Sequence, residues 1–194
     1  MSREMKLKLF KVMLGIYIVA YGVITFGGFG DQAVIQCNSY GLLDFRTGGY
    51  TAAQARAAID GLGTQGTILA QKYYYADYVY LVSGFIVQIM VIRFLQAVMK
   101  KRKETKKIAP TKFEQILVAA CYAVTYVKFV FDFLENTILE YAIYHTTQIS
   151  DAVYQFTSIC TITKFISFIA FIPLFLFLSY FLLSKKHNPL EETL

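Results

Sequence analysis

The chain has no tryptophan, and only two histidines, three cysteines and three prolines among its 194 residues. His145 and His187 form no pair at ligand spacing, and no nucleophile–base set can be ordered around them, so metal-assisted and triad hydrolysis lose their usual signatures. Cys37, Cys121 and Cys160 show no C-x-x-C spacing, which excludes a zinc knuckle or redox pair and implies no disulfide framework. Charge is scarce over four long apolar stretches, about 8–27, 78–99, 113–136 and 156–183. The alternating pattern of a membrane barrel is missing too.

Each of the four stretches supplies the ~20 helical residues needed to cross a hydrocarbon layer of about 30 Å. A bilayer core leaves no partner for free backbone groups, so helices are the default spanning form. Apolar residues make up 56% of the chain, in keeping with an all-α, integral membrane four-helix bundle forming one transmembrane domain.

Basic residues fall on alternate connections. Arg3, Lys6, Lys8 and Lys11 open the chain, Lys100, Lys101, Arg102, Lys103, Lys106, Lys107 and Lys112 join the second and third stretches, and Lys185 and Lys186 lie in the tail. The connection about 28–77 holds only Arg46, Arg56 and Lys72, and residues 137–155 hold no Lys or Arg. Lys and Arg retained on the cytoplasmic side set helix orientation, which predicts both termini and the basic link in the cytoplasm of a multi-pass plasma-membrane protein. With Arg93 included, the predicted cytoplasmic side has 14 basic and 5 acidic residues, and the rest 5 and 8. The net charge of +6 therefore reflects topology and attraction to anionic lipid. Membrane lipids are the expected partners and nucleic acid is not; a homo-oligomer or a membrane partner stays open. Arg93, about two turns from the basic link, is expected to snorkel to the headgroups.

Small-x-small chemistry is missing after Ile24, so the first stretch is expected to remain as a helix and not to be removed as a leader. It ends in Gly27-Gly28-Phe29-Gly30, a stop and turn. The long outer loop that follows is expected to be partly helical. Thr51 and Gln54 make a capping box, Gly61 and Gly63 close that short helix, and helical pattern resumes from Thr64. The run Gly61-Leu62-Gly63-Thr64-Gln65-Gly66 matches G-x-G-x-x-G, but a helix precedes it where the dinucleotide fingerprint needs a strand. No cofactor is implied. Tyr73, Tyr74, Tyr75, Tyr78 and Tyr80 read as an outer interface belt. Pro110 should stop the helix before the third stretch, and Pro173 should kink the fourth.

The third stretch carries the chemistry. Lys128, Asp132 and Glu135 follow at spacings of four and three and share a helix face, with Cys121 and Thr125 extending it and Asn136 beside its outer end. Lys164 on the fourth stretch should reach the same level, within a stripe of Thr157, Thr161, Lys164 and Ser167. Asp77, Tyr80 or Gly84, and Gln88 make a weaker stripe, as do Tyr17, Tyr21 and Thr25. Charge in hydrocarbon is costly unless paired or wet. The stripes are therefore expected to line an outward-facing charged cleft that binds, or helps to move, a small amphipathic or charged ligand through Asp132, Glu135, Asn136, Lys128, Lys164, Asp77, Gln88 and Tyr21. No residue is assigned as catalytic. Three other outcomes compete: neutralised interior pairs that fix helix register, a lipid-modifying enzyme with Asp132 or Glu135 as acid or base, and a structural or accessory subunit.

The run Phe131-Asp132-Phe133-Leu134-Glu135-Asn136-Thr137 resembles a D-x-x-E-N signature in a loosely defined group of small four-helix bacterial membrane proteins. Gly49-Tyr50-Thr51 through Leu62-Gly63 and on to Asp77 is similar to their outer loop and second helix. The resemblance implies architecture, brings no activity with it, and singles out Asp132, Glu135, Asn136 and Asp77.

Overall fold

The computed structural model describes residues 3–106 and 111–183. Pro110, Lys107, Lys185, Lys186 and His187 lie outside them. Four long helices carry the fold: α1 (Arg3–Phe26), α4 (Gly63–Lys106), α5 (Lys112–Tyr144) and α6 (Asp151–Leu183). Each is long and apolar enough to cross a membrane, the signature of a membrane protein, and no strand occurs among the described residues. Between α1 and α4 lie α2 (Asp31–Asn38), a 3-10 turn at Leu43–Phe45, and α3 (Ala52–Asp60).

The helices outrun their apolar stretches. α4 starts at Gly63 and α5 continues to Tyr144, because hydropathy marks only the lipid-facing part of a helix whose ends continue beyond it. Helical structure resumes at the Gly61–Gly63 break, and the G-x-G-x-x-G run is that α3–α4 junction. The expected capping box is formed: Thr51 Oγ1 accepts from Gln54 N, and Gln54 Oε1 accepts from Thr51 N. A second box, Thr111 with Glu114, starts α5. There Lys103 of α4 pairs with the Glu114 carboxylate, tying the basic ends of α4 and α5 together. α6 runs unbroken through Pro173, and Arg93 is exposed on α4.

Helices α5 and α6 pack along their length, α4 packs on α5, and α1 leans mainly on α4. Two apolar clusters result. One, near the basic end, joins Ile92, Leu95, Met99, Leu117, Val118 and Leu178. The other binds the 31–62 segment to α4, α5 and α6 through Val34, Leu42, Leu43, Leu62, Tyr74, Leu139 and Tyr154.

That segment enters the bundle. Asp44 lies against Lys164, which is 13 residues into α6, or about 20 Å of helix. Asp77, 14 residues into α4, and Asp132, 12 residues from the end of α5, sit at about the same depth. Non-helical backbone at such depth is tolerated only where protein buries it and satisfies its polar groups. Here side chains do so. Asn38 Nδ2 donates to Gly41 O and Ala58 O, and its Oδ1 accepts from the Tyr40 and Gly41 amides. Leu42 N donates to Asp31 Oδ1, and Tyr50 N donates to Ser158 Oγ at 2.8 Å. Gly49 (φ +79°) brings the chain so close to α6 that a Cβ there would lie 2.7 Å from Ser158 Oγ.

Candidate functional site

Lys164 is the centre of a buried ion cluster. Its Nζ contacts Asp44, Asp132 Oδ1 at 3.2 Å and Glu135 Oε2 at 2.8 Å. Lys128 Nζ donates to Asp132 Oδ2 at 2.8 Å, the pair its i,i+4 spacing predicts. Asp132 thus sits between two ammonium groups. Tyr73 Oη donates to Asp44 Oδ2 at 2.5 Å, Thr161 Oγ1 to Glu135, and Asn136 Nδ2 to Asp77. Six of the eight residues expected at the site are therefore close together: Asp132, Glu135, Asn136, Lys128, Lys164 and Asp77.

The other two are elsewhere. Gln88 lines a separate cavity toward the basic end. Tyr21 is 55% exposed on α1, with its ring 6.1 Å from that of Tyr80. One helical repeat of four residues advances about 40° around the axis, which carries Tyr21 and exposed Thr25 off the face on which Tyr17 meets α4. The stripe on α6 holds throughout, since Thr157, Thr161, Lys164 and Ser167 are all buried.

The cluster is also covered. Asp44, Asp132, Glu135, Asn136 and Lys164 are each at most 7% exposed, and the re-entrant segment fills what sequence alone made an open cleft. Asp44 belongs to no helix stripe, because it lies in the 3-10 turn of the connection, 120 residues before its partner. The signal available was the run Leu42-Leu43-Asp44-Phe45, an acid inside an apolar segment of a connection. Tyr50, just before α3, likewise belongs to no helix stripe. Burial first, and then the Glu135 carboxylate, push its phenol well above the ordinary tyrosine range, so it stays a neutral hydroxyl beside the cluster.

Four carboxyl groups (Asp44, Asp77, Asp132, Glu135) accompany two ammonium groups here, an excess of acidic over basic residues enclosed by helices. Ligand oxygens of Asp44, Asp132 and Glu135 come within 4.8 Å of one another, a spacing suited to a hard cation. The Lys164 ammonium already sits among them, so a metal would have to displace it. At the cluster, the buried atoms Glu135 Oε2, Asn136 Oδ1 and Tyr50 Oη have no aligned hydrogen bond among the described residues, although the first keeps its ion-pair distance to Lys164. The segment above is pinned by Arg56, which donates to Asp151 Oδ1 at 2.7 Å and to Ile149 O at 2.6 Å.

No family model matches the chain, and no curated protein or solved structure matches it.

Proposed function

We propose that the protein is a multi-pass membrane protein that binds, or helps to move, a small amphipathic or charged ligand at its interior ion cluster. One observation carries this: four carboxyl groups share two ammonium groups at the cluster, and Asn136 Oδ1 and Tyr50 Oη have no aligned hydrogen bond among the described residues. A device that only fixes helix register should match its groups one to one, because each stranded buried group costs stability. Intramembrane ionisable groups in excess of pairing are instead the mark of a functional site. The re-entrant segment then acts as the cover of that site.

The test is a melting screen of the purified protein against amphiphiles with acidic, ester, amine and zwitterionic heads. A ligand should raise the melting midpoint of the parent and fail to raise that of Asp132→Asn, since binding stabilises only the state that holds it. If no class shifts the parent, and Asp132→Asn melts at or above it, the cluster is a register device. A parent that cannot be kept folded alone would favour the accessory-subunit alternative.

We also propose the orientation in which the basic end faces the cytoplasm of a plasma membrane and the 31–62 segment faces outward, on the distribution of Lys and Arg. Single cysteines at Lys106 should react with an impermeant maleimide only from the cytoplasmic side, and those at Gly48 and Gln148 only from outside. Labelling of Gly48 from the cytoplasm would reverse the topology.

A further inference from the structure

A second cavity, small and partly open, lies beyond Lys128 toward the basic end, with room for about one or two water-sized groups, lined by Tyr17, Tyr80, Gly84, Gln88, Lys128 and Phe168 among others. It contains none of the carboxylates. Phe168 is 43% exposed, and α1 leans on α4 while α6 packs on α5. The mouth therefore opens sideways, between α1 and α6, toward lipid. Gly84 shapes the opposite wall: a Cβ there would lie 2.7 Å from the Tyr17 ring, and its absence lets Tyr17 stack on Tyr80 at 4.8 Å with their hydroxyls 3.0 Å apart.

The polar atoms that reach this cavity are mainly donors. The Lys128 ammonium has three N–H groups and one bond to Asp132. Gln88 makes no hydrogen bond among the described residues and offers two more N–H groups. Of the two tyrosine hydroxyls that bond to each other, one keeps a free O–H. Phe85, Phe129 and Phe168 supply the apolar wall.

We propose that this lateral cavity receives the head of a single-chain lipid from within the membrane, and that the head is an oxygen acceptor, either a carboxylate or a neutral ester carbonyl. Lys128 and Gln88 donate to the oxygen, and the chain leaves between α1 and α6 into the bilayer. An amine head is excluded because it would face the Lys128 ammonium with only neutral acceptors, Gln88 Oε1 and the Thr125 and tyrosine hydroxyl oxygens, to offset it. The inference rests on the ligand reading above and gives that ligand a head chemistry and a route. Lys128 then joins the cavity to the ion cluster, since a ligand oxygen drawing on its ammonium competes with Asp132.

The experiment uses the full chain in nanodiscs with a diazirine-bearing dodecanoic acid, peptide mapping of the photoproducts, and competition by dodecanoic acid, methyl dodecanoate or dodecylamine. Photoproducts on Tyr17, Phe85, Phe129 or Phe168 are expected, displaced by the acid or the ester and not by the amine. Acid alone as competitor identifies an ionised head, and both together a carbonyl. Lys128→Met should weaken displacement by about tenfold or more, the worth of one charge-assisted hydrogen bond, with Lys128→Arg keeping most of it. Photoproducts spread evenly over the lipid-facing surface would overturn the cavity. Displacement by dodecylamine alone would overturn the head chemistry and leave the broader ligand reading standing. A failure of every amphiphile, here and in the melting screen, would remove both.

Discussion

Lys164→Met should destabilise the protein more than any other single substitution in the bundle. The ammonium is buried and touches three carboxylates, those of Asp44, Asp132 and Glu135. Removing it leaves Asp132 with Lys128 and leaves the other two facing each other with no cation. Breaking a buried ion pair by deleting one partner costs about 3–5 kcal/mol, and here two carboxylates lose their only cation. Melting midpoints of the purified protein, compared at one scan rate because unfolding of such proteins is often irreversible, should fall sharply. Adding Asp44→Asn and Glu135→Gln should recover most of the loss, because those two groups are then neutral and can still hydrogen-bond, while Asp132 keeps Lys128. A Lys164→Met protein that melts with the parent would mean the cluster is hydrated and its ion pairs contribute nothing.

Asp44→Asn should loosen the cover without unfolding the bundle. Asp44 is the one side chain of the 31–62 segment paired with Lys164, and it also accepts from Tyr73 Oη. The amide keeps the size of the group and loses the charge. The segment would still be held by Tyr50 N to Ser158 Oγ, by Arg56 and by its apolar contacts. Local opening, not global unfolding, is therefore the expected response. Cys160 reports it, being fully buried on α6 one turn from Lys164. With Cys37 and Cys121 replaced, its reaction with an impermeant maleimide should be slow in the parent and about 10- to 100-fold faster in Asp44→Asn, the range set by one charge-assisted hydrogen bond. Equal rates, with both proteins equally stable, would mean that the re-entrant segment does not control access.

Much of the site could be read from spacing. Lys128 and Asp132 are four apart on one helix, and helical geometry makes them neighbours before any tertiary contact forms. Thr157, Thr161, Lys164 and Ser167 follow the same rule on α6, and hydrogen-bonding side chains in an apolar helix have few stable places except the interior. The Thr51–Gln54 box was legible because its bonds close within four residues. Tyr21 is exposed because a stripe on a helix that packs along one side only is half exposed.

The sequence by itself determined the all-helical class, the four spans and the inward placement of charge, because each follows from short-range periodicity or from the cost of polar groups in hydrocarbon. Only the tertiary structure decided that the charged stripes are covered, that Asp44 completes the cluster, and that a second cavity lies beside Lys128. Asp44 meets Lys164 across 120 residues of chain. No local pattern encodes that contact, since it depends on how deeply an irregular segment, its backbone satisfied by Asn38, Asp31 and Ser158, can descend between three helices.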